Sequence, residues 1–175
     1  MSENAFLPPD LEQVSAPQLL ERIVSPRPTR YRLQTECGKT LYVYCAPDAL
    51  YYTHLTRERI ELNAEPPGGR AFSVEVSLWS VHPRRGRMSW PKPGAAQELL
   101  IAAASLLRET ATVPASALCA WLHCFESAEE FAVWHRALPA SVAAYLTSIS
   151  LEEAWCSAED TVAELQISGV HAGCC

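Results

Sequence analysis

The segment Leu41-Tyr42-Val43-Tyr44-Cys45-Ala46-Pro47-Asp48 sets a thiol and a carboxyl three residues apart. A strand-like run leads into Cys45 and a helix starts there, because Pro47 is tolerated only in a first helical turn, where its missing N–H is not needed. A thiol at a helix N-terminus meets unpaired backbone N–H groups and the positive end of the dipole, and both favour thiolate. Asp48 lies one turn on, beside the sulfur. Its charge opposes the dipole, so an acid this close serves better as a proton carrier than as an activator of the thiol. The competing reading is a small buried cysteine with Asp48 as an ordinary residue of the first helical turn.

A second cluster, Ala117-Leu118-Cys119-Ala120-Trp121-Leu122-His123-Cys124-Phe125, reads as a buried strand. Alternation puts Cys119, Trp121 and His123 on one face and Ala120, Leu122 and Cys124 on the other. At most one of Cys119 and Cys124 therefore shares a site with Cys45. Either cysteine also fits as sheet core, and His123 as a hydrogen-bonded histidine to which no catalytic role is assigned. Two thiols far apart in sequence, with one acid, suit a soft metal such as Hg, Cu(I) or Zn. Sharing one ion requires the two sulfurs to stand roughly 4–5 Å apart with Asp48 in contact reach. Cys37 and Cys156 are expected outside that site. A Cys-His-Asp nucleophile is less well supported, since no motif brings His54, His82, His123 or His135 to Cys45. No Gly-rich phosphate loop, HExxH or GxSxG occurs.

Composition bounds the elements that must position these groups. The 175 residues suit one domain with a small N-terminal appendage, and 49% hydrophobic against 19% charged residues is enough for a core. Fourteen basic and twenty acidic residues leave a net charge of −6, which argues against general nucleic-acid binding. Arg84-Arg85-Gly86-Arg87 reads as a solvated loop. The longest apolar run, Leu99 to Leu107, contains Ser105 and falls short of the ~18–20 residues of a membrane span. Met1 to Asp10 lacks the basic and apolar regions of a signal peptide, so no membrane association and a cytoplasmic location are expected. Seven cysteines, an odd number without a CxxC, argue against a disulfide framework or a standard zinc ribbon. Buried apolar cysteine, catalytic thiolate and soft-metal ligation remain.

Along the chain, residues 9 to 24 carry an imperfect apolar stripe and predict a helix capped by Asp10. Residues 30 to 36 and 40 to 44 alternate around the turn signal Cys37-Gly38-Lys39. A short helix follows Cys45. Residues 58 to 63 and 71 to 80 are strand-like and joined by Pro66-Pro67-Gly68-Gly69. The proline-rich and glycine-rich stretch 81 to 94 reads as loop, and 95 to 109 as helix. Ser127-Ala128-Glu129-Glu130 is a capping box that opens a helix from Ala128 to Arg136. Residues 141 to 148 return as strand or short helix, Leu151 to Leu165 are helical in parts, and the tail from Ser168 is loose. The pattern is α+β, a mainly antiparallel sheet flanked by helices.

These residues resemble a known family. Tyr42 to Leu50 is similar to the catalytic Cys-Ala-Leu-Asp segment of the organomercurial (alkylmercury) lyases. Leu118 to Phe125 resembles that family's second active-site strand, Phe-Cys-Cys-His-Val-His-Phe-Phe. Ala128-Glu129-Glu130-Phe131 with Trp134-His135 looks like the helix that follows, and Ser148 to Ala154 like the closing Ser-Val-His-Glu-Ala stretch. The likeness spans roughly residues 30 to 165 with a gap in the middle. It implies an alkylmercury-lyase-like α+β core, with Cys45 and Cys119 as the catalytic cysteines and Asp48 as the catalytic aspartate. The implied reaction is protonolysis of a carbon–mercury bond, giving a hydrocarbon and Hg(II) bound as product by Cys45, Cys119 and Asp48. It needs no organic cofactor, and external low-molecular-weight thiols would remove the Hg(II). The rival reading is a non-enzymatic mercury or copper binder or sensor on the same core.

The chain also departs from the family pattern. Only 44 residues precede Cys45, too few for the family's winged-helix-like lobe, so a shortened N-terminal region is expected. Pro47 stands in place of Leu, Ala120 in place of the second cysteine of the pair, and Gln97 to Thr112 reads as an inserted helix. The expected organisation is an N-terminal helix and linker over 1–29, a catalytic domain over 30–167 and a Cys-containing tail over 168–175. The terminal pair Cys174-Cys175 is similar to the C-terminal thiol pair of mercuric reductases. It is a candidate for Hg(II) hand-off, and a mercuric reductase is a candidate partner.

Overall fold

The computed structural model describes residues 15–107 and 117–166. Its elements, in chain order, are α1 (Ala16–Ile23), β1 (Val24–Ser25), β2 (Tyr31–Thr35), β3 (Thr40–Val43), α2 (Ala46–Thr56), β4 (Ile60–Ala64), β5 (Phe72–Val76), β6 (Val81–His82), β7 (Arg87–Pro91), α3 (Ala96–Leu107), β8 (Cys124–Phe125), α4 (Ala128–Arg136), α5 (Ala140–Ala143), β9 (Leu146–Ser150) and α6 (Leu151–Gln166). Two antiparallel sheets result, one ordered β1-β3-β2-β4-β5-β6 and one ordered β8-β7-β9. The architecture is α+β, with antiparallel sheets flanked by helices, as expected.

The larger sheet follows from alternation. Tyr31, Leu33 and Thr35 of β2 are buried and alternate with more exposed neighbours, and Ile60, Leu62 and Ala64 of β4 do the same. In register, Leu33 lies opposite Leu62 on one side and Leu41 on the other, so one face is continuous and apolar. The β2–β3 hairpin closes at Gly38, whose φ of +75° is a conformation open to glycine without cost. Against this face lies α2, in which every residue from Ala46 to Leu55 is buried. A helix covered on all sides belongs at the centre of a fold, and here α1, α6 and the sheet enclose it.

Several expectations need correction. The first helix starts at Ala16, where Ser15 and Gln18 form the cap; Asp10 lies outside the described residues. The stretch 81 to 94 is not loop throughout, because it contains β6 and the middle strand β7 of the smaller sheet. Prolines flank β7 instead of interrupting it. Pro91 is its last residue, where a missing N–H costs least, and Met88, Ser89 and Trp90 between are buried. Arg84 and Arg85 are exposed as expected, but Arg87 belongs to β7 and its guanidinium donates to the Ser148 carbonyl at 3.0 Å. Residues 141 to 148 divide between α5 and the start of β9.

The largest correction concerns 117 to 125. Only Cys124–Phe125 is strand, while residues 117–121 form a turn closed by the Trp121 N–H donating to the Leu118 carbonyl at 2.8 Å. The face-by-face assignment of Cys119, Trp121 and His123 therefore does not apply. The turn packs into a second apolar cluster with Leu99, Phe125, Trp134, Val142 and Leu146, next to Cys45. The helix α4 that supplies Trp134 begins as its sequence predicts, with Ser127 Oγ accepting from the Glu130 N–H at 3.2 Å.

Candidate active site

Cys45 is the N-cap of α2, with extended backbone at φ −145° and ψ 171°. Its N–H donates to Asp48 Oδ2 at 3.0 Å, and the Asp48 N–H points back to the Cys45 sulfur. This is a capping box built with a thiol where a hydroxyl usually stands. Helix initiation therefore fixes the thiol and the carboxyl together. Both are buried, Cys45 at 2% exposure and Asp48 at 7%.

Cys119 arrives from the turn. Its thiol lies 3.8 Å from Asp48 Oδ2. The ligand atoms of Cys45, Asp48 and Cys119 all fall within 4.8 Å of one another, the separation that sharing one soft ion requires. Four hydrogen bonds hold the turn there. Ser89 of β7, fully buried, donates from its hydroxyl to the Trp121 carbonyl at 2.7 Å and accepts the His123 N–H at 2.7 Å. The Ser89 N–H donates to the His123 carbonyl at 2.8 Å. From the other side, the first N–H of α2, on Ala46, donates to the Leu122 carbonyl at 3.2 Å. A helix N-terminus has unpaired N–H groups to offer, and this one takes up the loop carrying the second thiol.

The other described cysteines stay apart from the cluster. Cys124 is buried in the main core, and Cys37 and Cys156 are exposed. Cys174 and Cys175 lie outside the described residues. Sequence reasoning missed Ser89, because the prolines around it hid its strand. A polar residue between Met88 and Trp90 was the available signal.

The electrostatics reverse one expectation. Burial, followed by the bonds to Cys119 and the nearby Asp48 charge, pushes the Cys45 thiol well above its ordinary range. The helix N-terminus is too small an influence to offset desolvation of a fully enclosed sulfur. Burial likewise pushes Asp48 up to about 7, against the lowering effect of hydrogen bonds from Cys45 and Cys119. The leading causes of either shift include no cation. The site thus holds a proton firmly on the Cys45 thiol, beside a carboxyl that exchanges its proton near neutrality. Such a donor set can trade thiol protons for a soft cation and pass a proton between its own members.

His123, which has no assigned chemistry, is buried beside the turn. Tyr31 reaches its Nδ1, and its Nε2 meets the Ala120 carbonyl at 3.0 Å. Burial lowers His123 to about 4, so the ring is neutral.

The alkylmercury lyase (MerB) family model matches residues 24–163. Comparison with curated proteins returns no match. Among solved structures, the mercury-bound form of MerB2 is similar at a TM-score of 0.55 and 20% identity, over 82% of this chain and 62% of that one. The chain therefore spans less than two thirds of that protein's length. At this identity the likeness is one of fold.

Proposed function

Because the chain belongs to the alkylmercury lyase family, we propose that it cleaves carbon–mercury bonds by protonolysis, with Cys45 and Cys119 as the mercury-binding sulfurs and Asp48 as the proton carrier. The observation that supports this most is the convergence of two thiols and a buried carboxyl, pushed up to about 7, within 4.8 Å. A carboxyl with that pKa can both accept and return a proton at neutral pH.

The steps balance without a further reactant. R–Hg–X exchanges its ligand for the Cys45 sulfur, and the Cys45 proton leaves as HX. Asp48 carboxylate then takes the Cys119 proton, and the Cys119 thiolate adds to mercury. The second sulfur raises electron density on the metal and weakens the carbon–mercury bond. Asp48 delivers its proton to carbon, R–H departs, and Hg(II) remains between two sulfurs. Apolar neighbours of Cys45, including Leu99, Leu118 and Leu122, give the hydrocarbon group nonpolar surroundings and keep water from the transferring proton.

Product release falls to low-molecular-weight thiols in a reducing cytoplasm, with Cys174 and Cys175 as an internal thiol pair and a mercuric reductase as the downstream consumer of Hg(II). No described helix is long and apolar enough to cross a membrane. The deciding assay incubates the protein with phenylmercury and excess thiol and measures benzene. Benzene that disappears in Cys45→Ala, Cys119→Ala and Asp48→Ala supports the lyase. Stoichiometric mercury binding without benzene favours the non-enzymatic soft-metal binder. The tail is tested in a single turnover without added thiol, by truncation after Ala172. Cleavage should be unchanged and mercury release to a dilute acceptor slower.

A further inference from the structure

The two thiols hang from different sheets. Cys45 leaves β3 of the six-stranded sheet, whereas the Cys119 turn is bonded to Ser89 of β7 in the three-stranded one. Their separation must be set by contacts that cross between the sheets. Two such contacts leave the site's sulfurs and carboxyl untouched. One is the Ala46 N–H to the Leu122 carbonyl. The other is a chain of side chains. Tyr31 of β2 lies opposite Val43, two residues before Cys45. Its hydroxyl meets His123 Nδ1, and His123 Nε2 meets the Ala120 carbonyl at 3.0 Å, one residue from Cys119.

The proton positions along this chain follow from chemistry. A carbonyl only accepts, so Nε2 carries the hydrogen, Nδ1 presents its lone pair and the Tyr31 hydroxyl donates. Tyr31 and His123 are 1% and 5% exposed, so water does not replace a lost partner cheaply. Trp134 stands edge-on to the imidazole with ring centroids 5.3 Å apart, which limits how that ring can turn.

We propose that Tyr31 and His123 are positioning residues that set the separation of the Cys45 and Cys119 sulfurs, through the chain from the Tyr31 hydroxyl to the His123 imidazole to the Ala120 carbonyl. The step they govern is the one in which mercury is held by both sulfurs. Capture by a single sulfur does not depend on the gap. Its consequence for cleavage rests on the lyase reading, but its consequence for Hg(II) chelation does not. A misplacement of about 1 Å is enough to slow a reaction on the order of a hundredfold.

Tyr31→Phe tests this, since it keeps the buried ring and removes one oxygen. The probe is inorganic Hg(II), competed against a small dithiol, with single-turnover benzene release from phenylmercury as the second readout. Expected are a fall in Hg(II) affinity on the order of tenfold, cleavage slower by about ten- to a hundredfold, and unchanged stoichiometry of phenylmercury capture. His123→Gln keeps a donor toward the Ala120 carbonyl but gives Tyr31 no ring nitrogen, and should weaken Hg(II) binding to a similar degree. Adding Tyr31→Phe to His123→Gln should cost nothing more, because the chain is already cut. Wild-type Hg(II) affinity in the variants, or additive losses in the double variant, overturns the proposal. If Tyr31→Phe does not fold, His123→Gln alone decides by the same affinity measurement. A wild-type chain that yields no benzene would refute the lyase reading and leave the Hg(II) comparison as the test of this one.

Discussion

The Cys119 sulfur stands 3.8 Å from Asp48 Oδ2, the same oxygen that accepts the Cys45 N–H at 3.0 Å. One carboxyl oxygen thus serves as the cap of α2 and as the neighbour of both thiols. Structural and chemical roles meet at this atom.

Asp48→Asn keeps an oxygen for the Cys45 N–H and removes the transferable proton. Mercury capture should persist while cleavage falls on the order of a hundred- to ten-thousandfold, the range of a lost general acid. Quantifying benzene in a single turnover, alongside bound mercury, checks this. Wild-type cleavage in the variant would remove Asp48 from the reaction.

Asp48 also makes stability depend on pH. Its pKa rises from the ordinary 3.8 to about 7 on folding, so the folded chain holds more protons than the unfolded chain between those values. Folding takes up a proton there, and stability declines as pH rises from about 4 to about 7, by on the order of 4 kcal/mol from this group. His123, lowered to about 4, acts in the opposite sense, so the comparison must be between chains differing only at Asp48. Urea unfolding of wild type and Asp48→Asn at pH 5 and pH 8 should show the variant gaining relative to wild type at the higher pH. A constant difference across pH contradicts the buried, proton-holding carboxyl.

Ser89→Ala removes the hydroxyl bonded to the Trp121 carbonyl and the His123 N–H. Two buried backbone groups lose a partner, which should cost about 1–3 kcal/mol in denaturant unfolding. Cleavage should fall further than phenylmercury capture, because the turn that carries Cys119 loosens while Cys45 keeps its cap.

A Cβ on Gly86 would stand 2.4 Å from Leu151 Cδ1 and 3.0 Å from its Cγ. Leu151 is fully buried and has little room to move aside. Gly86→Ala should destabilise by about 1–3 kcal/mol through overpacking, read as a lower denaturation midpoint with the same slope. Unchanged stability would mean that the start of α6 yields more easily than its packing implies.

Cys37 and Cys156 are exposed and lie outside the cluster, whereas Cys45 and Cys124 are enclosed. An aromatic disulfide reagent should therefore modify Cys37 and Cys156 well before Cys45 and Cys124, followed by mass spectrometry of the native chain. The double variant Cys37→Ser with Cys156→Ser should cleave phenylmercury at the wild-type rate. A loss of cleavage would show that thiols beyond the cluster take part.

How much of this was legible in the sequence depends on the range of the interaction responsible. Pairing of Cys45 with Asp48 is local: a proline two residues into a helix and an acid three residues after a capping thiol state the geometry in four letters. The β2–β3 hairpin and the cap of α4 are local in the same way, and each appears where its residues predict. Cys119 was legible as a candidate, but its backbone was not. Apolar composition over 117–125 suits a strand, yet bonds from Ser89 and from the Ala46 N–H, far away in sequence, hold its first half as a turn. The charge state of Cys45 departs from the local expectation for a related reason. A helix N-terminus is visible in sequence, whereas full burial of the sulfur is a property of the packed core, and desolvation outweighs the dipole. Residue types and local spacing are enough to pick out the groups able to do chemistry and to show that two of them share a helix cap. That the third meets them follows from packing, because contacts across two sheets, made by residues with no chemistry of their own, set that distance.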